Sequence, residues 1–199
     1  MDYLRTGLIF VHLMVFAFAI TTLYRSDFRL LFSRPSEAET HTMGQHMLLS
    51  LIILWVTGLG VIWVDTRFDY DTIINSPKIV MKLSCVVVLT LNAILIHFVA
   101  FKKLKQDILS KADMLMMSLV GAVSTTSWTF AAFLGIAKPL TKHLNQADWF
   151  ALYALALTGA AVVAMALTPM IQRNWSANSK VTQTENENES AAAEAIAAA

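Results

Sequence analysis

The sequence predicts an all-α fold, a polytopic transmembrane bundle of five helices, on three observations. Of its 199 residues 56% are hydrophobic and only 15% are charged, against roughly 25% charged in a typical soluble domain. Apolar stretches of the ~20 residues that a membrane-crossing helix needs recur five times along the chain. Strand-like alternation is absent, and open loops cannot cross lipid with unsatisfied backbone groups, which leaves helices as the way to bury these segments. A net charge of +1 and a single cysteine exclude a nucleic-acid binder working through a basic surface, a disulfide framework and a cysteine-based zinc or iron–sulfur site.

The expected spans are residues 6–24, 44–64, 79–101, 112–137 and 149–171. The first has an apolar run longer than the ~7–15 residues of a signal peptide's core and lacks a small-residue cleavage site, so it reads as an anchor. The stretch RSDFRLLFSR, residues 25–34, mixes arginines with Phe and Leu and is expected to lie as a loop along the headgroups. The segment 174–199 holds Glu185, Glu187, Glu189 and Glu194 among Asn, Ser, Thr and Ala, and it reads as a disordered cytoplasmic tail behind a transmembrane domain of residues 1–173. Five spans put the N-terminus and the 65–78 and 138–148 loops on one side with five cations: Arg5, Arg67, Lys78, Lys138 and Lys142. The other side carries nine: Arg25, Arg29, Arg34, Lys102, Lys103, Lys105, Lys111, Arg173 and Lys180. The positive-inside rule therefore puts the N-terminus outside and the C-terminus in the cytoplasm.

Ionisable groups inside a span are costly, about 2.5–3.5 kcal/mol for a central Lys on insertion scales, and so mark candidate functional positions. His12, His46, Lys82 and His97 are the candidates within the predicted spans, where the one acidic residue is Asp113, second residue of the fourth. His12 and Lys82 share a layer near the outer face, and His46 and His97 share one near the inner face. At 100° per residue, His46, Ser50, Thr57 and Gly60 fall within an arc of about 80°, with Trp55 opposite; Lys82, Cys85, Asn92 and His97 fall within about 140°. On the fourth span Ser118, Gly121, Thr125, Trp128, Ala132 and Gly135 make a face of small residues around one indole, suited to close helix approach.

Neutral imidazoles from facing helices ligate haem iron, which makes His46 and His97 candidate metal ligands for a b-type haem. The bland alternative is an interfacial His46 and a His97 bonded to a carbonyl or headgroup. His12 and Lys82 could bind an anionic group or relay protons, or Lys82 could simply snorkel to the headgroups on its four-carbon stem. Met43, Met47, Met114, Met116 and Met117 lie toward the inner side; thioethers suit Cu(I), although methionines in apolar chains mostly fill gaps. Cys85 reads as a small buried hydrophobe.

The first span, TGLIFVHLMVFAFAITTLYRSDFRLLF, sets a His in an apolar helix ahead of arginines. The second, HMLLSLIILWVTGLG, carries W-x2-G-x-G near its end, and the third, PKIVMKLSCVVVLTLNAILIHF, a Lys early. Over residues 6–101 these features resemble small bacterial membrane proteins of the membrane protoporphyrinogen oxidase (HemJ) and copper-resistance protein D (CopD) families. The resemblance implies that His12 is the helix-one histidine, Lys82 the helix-three lysine and Arg29 the arginine after the first helix, groups tied in that family to haem or porphyrin handling. The chain departs from the pattern at Phe16, Ala17 and Phe18, and at Asn92 and the late His97.

The reading that follows is an inner-membrane protein whose intramembrane polar site binds a b-type haem or porphyrin in a redox or haem-handling role. As an enzyme it would be a membrane oxidoreductase. Iron would be held by His46 and His97, or by His12 with another ligand, and Lys82 and Arg29 would serve the propionates of the tetrapyrrole or its protons. The alternatives are a transport component for copper or a small solute, and a cofactor-free assembly partner of a membrane complex, each in contact with the lipid bilayer.

Overall fold

The computed structural model describes residues 2–33, 35–100, 103, 110–137 and 139–197. Among them the fold is all-α: α1 (Asp2–Phe32), α2 (Glu37–Thr66), a short α3 (Tyr70–Ile74), α4 (Pro77–Leu95) continued by a π-helical turn (Ile96–Ala100), α5 (Lys111–Ile136), a 3-10 turn (Pro139–Lys142) and α6 (Gln146–Ala197). Five of these helices are long and apolar enough to cross a membrane, as the five apolar stretches predict. Arg34, Lys102, Lys105 and Lys138, which enter the charge count, lie outside the described residues.

The helices overrun the predicted spans because backbone propensity and capping, not hydrophobicity, set their ends. Residues 25–32, expected as a headgroup loop, continue α1 to Phe32. The stretch holds no Gly or Pro and is rich in Arg and Leu, good helix formers. At 31 residues and ~1.5 Å rise the helix is about 46 Å long, more than the ~30 Å of hydrocarbon. The last helix likewise runs past residue 173 to Ala197.

Capping boxes start α2, α5 and α6. Ser36 Oγ accepts from the Glu39 amide at 3.2 Å, and Glu39 accepts from the Ser36 amide at 3.1 Å. Ser110 and Asp113 do the same at 3.1 and 3.3 Å, and Asn145 and Asp148 at 3.0 and 2.9 Å. Each box satisfies amides that a helix start leaves without partners. In the first two boxes the acid is also paired with a cation from upstream, Arg29 with Glu39 and Lys103 with Asp113, each at 2.5 Å.

At the other end of α2 the chain turns through two left-handed residues, Arg67 (φ 55°) and Phe68 (φ 58°), into α3. Asp69 caps this short helix, its carboxylate accepting from Thr72 Oγ1 at 2.5 Å and from the Thr72 amide at 2.8 Å. The hydroxyl and then the amide stabilise the charged form and hold the Asp69 carboxyl below its ordinary value. A lowered folded pKa means that the cap is intact above the usual carboxylate range and is lost as pH falls through the lowered value. Amide exchange at Thr72, corrected for its intrinsic pH dependence, should therefore lose protection on acidification below that range, and an Asp69→Asn variant should lose this pH dependence.

Two subassemblies make up the bundle. In the first, α1 and α2 form an antiparallel hairpin fastened at both ends. Arg5 grips Asp65 through Nε at 2.6 Å and Nη2 at 3.2 Å, and Arg29 meets Glu39 at the far end. Between them a Cβ on Gly60 would stand 3.2 Å from Leu8, and one on Gly58 3.5 Å from the His12 ring. The W-x2-G-x-G stretch is thus where α2 needs small residues against α1. The second subassembly is α4, α5 and α6, whose core gathers Met81, Cys85, Phe130, Leu134, Trp149 and Tyr153. The Ser127 and Tyr153 hydroxyls meet there at 2.6 Å, and Asn92 Nδ2 donates to the Val120 carbonyl at 3.1 Å.

Side chains cross the seam between hairpin and three-helix group at several heights. Trp128 of α5 buries its indole among Ala19 and Leu23 of α1, Leu51 and Leu54 of α2 and Leu89 of α4. Trp55 Nε1 donates to Thr90 Oγ1 at 3.0 Å, and Tyr24 and Thr129 share a hydroxyl bond of 2.7 Å. Trp55, which helical phase turns away from the polar arc of α2, thus faces α4, so α2 is in contact on both sides. Asn174 Nδ2 and Trp175 Nε1 reach the carbonyls of Leu31 and Leu30 at 2.7 and 2.9 Å. Those carbonyls belong to the last turn of α1, where no helical amide remains to bond them.

Candidate functional site

Thr57 is buried on the α2 face that meets α1. Its Oγ1 lies 2.8 Å from His12 Nδ1 and 2.8 Å from the carbonyl of Ile53 one turn back. The carbonyl can only accept, so the hydroxyl proton goes to Ile53 and the oxygen accepts from the imidazole. That arrangement puts the proton of neutral His12 on Nδ1 and leaves Nε2 with its lone pair, able to ligate a metal or accept a proton. Nε2 has no hydrogen-bond partner among the described residues. Gly58 provides the room beside the ring.

Lys82, predicted to share a layer with His12, is carried by α4 on the other side of the seam. Lys82 itself is exposed on the chain surface. The α4 arc predicted to point one way is divided: Cys85 and Asn92 are buried, while Lys82 and His97 stand on the exposed edge. An arc as broad as 140° covers both the contact face of a helix and its margin.

The inner-layer histidines sit in separate surroundings. His46 is exposed on α2, edge-on to Phe18 of α1 with ring centroids 5.9 Å apart. His97 lies in the π-helical turn, edge-on to Phe98 at 5.4 Å. Neither lines the large cavity described below, and among the described residues no three His, Cys, Asp or Glu side chains gather as a metal site. Arg29, the third residue carried by the resemblance, is engaged by Glu39.

The feature that sequence reasoning missed is a cavity of about 640 Å³ toward the α1 C-terminal end. It is bounded by the last turns of α1, the start of α2, the first half of α5 and the middle of α6, with Ile96 adding a wall. Met43, Met114 and Met117 line it, three of the methionines singled out as soft ligands. Asp27 lies on its wall and bonds Thr125 Oγ1. Ending the first span at residue 24 hid this acid; with α1 continuous to Phe32, Asp27 falls inside the bundle. The signal in the sequence is a lone Asp on the helical continuation of an apolar span. At the other end, Trp149 is fully buried and its Nε1 has no hydrogen-bond partner among the described residues.

On the small-residue face of α5, Thr125 and Trp128 meet Asp27 and Phe16 of α1, while Gly121 and Gly135 leave open space where a Cβ would stand. Compared with known protein families, with characterised proteins and with solved structures, the chain matches none.

Proposed function

We propose that this multi-pass protein lies in a bacterial inner membrane, N-terminus outside, and handles a haem or porphyrin at the His12–Thr57–Lys82 site. The observation that carries the reading is the 2.8 Å bond from His12 Nδ1 to Thr57, because it holds the ring and keeps Nε2 as a lone-pair donor. Holding the far ring nitrogen of a ligating histidine is how second-shell groups fix tautomer and orientation. Lys82 adds a positive charge beside that ligand, suited to a tetrapyrrole propionate. Bound iron would supply one-electron chemistry. The chain's own part is to orient His12, to hold a propionate near Lys82, and to keep the proton on the ring's Nδ1 through its hydrogen bond to Thr57 Oγ1.

Detergent-purified protein expressed with ample haem should show a Soret band that shifts on reduction. His12→Ala should remove the band and Thr57→Val should move it, while His143→Ala should leave it intact. A colourless wild-type preparation would overturn the reading. A band lost in His46→Ala or His97→Ala but kept in His12→Ala would move the iron to the inner pair. Transport of copper or a small solute is a second reading, favoured by the cavity bounded by both subassemblies with three thioethers on its walls.

A further inference from the structure

The cavity beside Asp27 has a chemistry independent of the tetrapyrrole site. At about 640 Å³ it falls within the ~300–1,000 Å³ range of small-molecule pockets. Its walls are mainly aliphatic and thioether, with Leu23, Met43, Met117 and Leu167 among them. Among the described residues three charged side chains line it: Asp27, Arg29 and Glu39. Arg29 and Glu39 neutralise one another at 2.5 Å, which leaves the carboxyl of Asp27 as the unbalanced one of the three.

Asp27 receives one hydrogen bond, from Thr125, and no other among the described residues. That hydroxyl is itself shared with the Gly121 carbonyl at 3.1 Å. A carboxylate offers about four acceptor sites, and leaving them unmet in apolar surroundings is unfavourable. The neighbouring cation cannot meet them: Arg29 is two positions along the same helix, about 200° round its axis, and is held by Glu39. A lipid acyl chain would fill the volume but leave the carboxyl unmet, and an anion would be repelled.

We infer that this cavity binds a lipophilic amine, an apolar molecule bearing one protonated amino group, with the ammonium on Asp27 and the apolar body among Met43, Met117 and Leu167. A charge-assisted bond of this kind is stronger than a neutral one. Gly121 lies on the wall and a Cβ there meets nothing within 4 Å, so a larger side chain at that position would project into the space without displacing a neighbour.

The test uses the full chain in nanodiscs of uncharged phosphatidylcholine, with binding of tritiated dodecylamine read by scintillation proximity and empty nanodiscs subtracted. Saturable binding is expected, with dodecanol and dodecanoate competing at least about tenfold less well than unlabelled dodecylamine, a difference of about 1.4 kcal/mol. Asp27→Asn should weaken the amine by at least about the same factor, and Gly121→Leu should abolish its binding. Equal competition by alcohol and amine would overturn the inference in favour of apolar filling by lipid. So would unchanged affinity in Asp27→Asn, or the absence of saturable binding. The ligand comparison is made on the wild-type chain, so it decides the matter even if Asp27→Asn fails to fold. Haem plays no part in this assay, so its outcome is separate from that of the tetrapyrrole reading.

Discussion

Trp128→Ala is expected to destabilise the folded bundle by about 3–5 kcal/mol, the range for truncating a buried Trp to Ala. The indole is 3% exposed and touches α1, α2 and α4 at once, with its ring 5.6 Å from that of Phe16. In lipid the released apolar surface is not driven together by water. The loss is therefore one of dispersion contacts and of the cavity left behind. Because the indole joins the hairpin to the three-helix group, the loss should also uncouple them. Unfolding in mixed dodecylmaltoside and dodecyl sulfate micelles, followed by circular dichroism, should show an earlier and broader transition. A loss below about 1 kcal/mol would mean that the polar contacts across the seam, not Trp128, hold the two parts together.

Trp149 should behave differently in its two truncations. It is 0% exposed, belongs to the core of Met81, Cys85 and Leu134, and its Nε1 has no acceptor among the described residues. Trp149→Ala removes the whole ring and should cost about 3–5 kcal/mol. Trp149→Phe keeps most of the packing and removes a donor whose burial without a partner costs about 1–3 kcal/mol, so the net change should be under about 1 kcal/mol. The same micelle titration measures both variants. A Phe variant as damaged as the Ala variant would mean that the indole N–H has a partner, such as a buried water, that the substitution also removes.

The fold class and the number of spans were legible because hydrophobicity over some twenty residues is a statement about solvent, and the chain repeats it five times. Helix ends were less legible. A search for apolar runs stops α1 at Tyr24, whereas the propensity of RSDFRLLF carries it to Phe32. The S-x-x-E, S-x-x-D and N-x-x-D patterns beginning at Ser36, Ser110 and Asn145 were present as cap signals, but hydropathy does not weigh them. On the site, the shared depth of His12 and Lys82 was legible from residue count alone. Thr57 was read as one residue of a polar arc, and its hold on His12 depends on how α1 rotates against α2 at Gly58 and Gly60. That rotation is set by packing between side chains far apart in the chain.

The sequence alone determined that this protein is a five-span helical membrane protein, because that follows from the cost of placing charge and free backbone groups in hydrocarbon. The tertiary structure decided which polar groups meet. It joined His12 to Thr57, extended the first span past Tyr24, and carried Asp27 into the wall of a cavity. Depth along a helix follows from residue count, but the direction a side chain faces depends on helix rotation and crossing, which are fixed only when Trp128, Leu8 and the glycines opposite them pack.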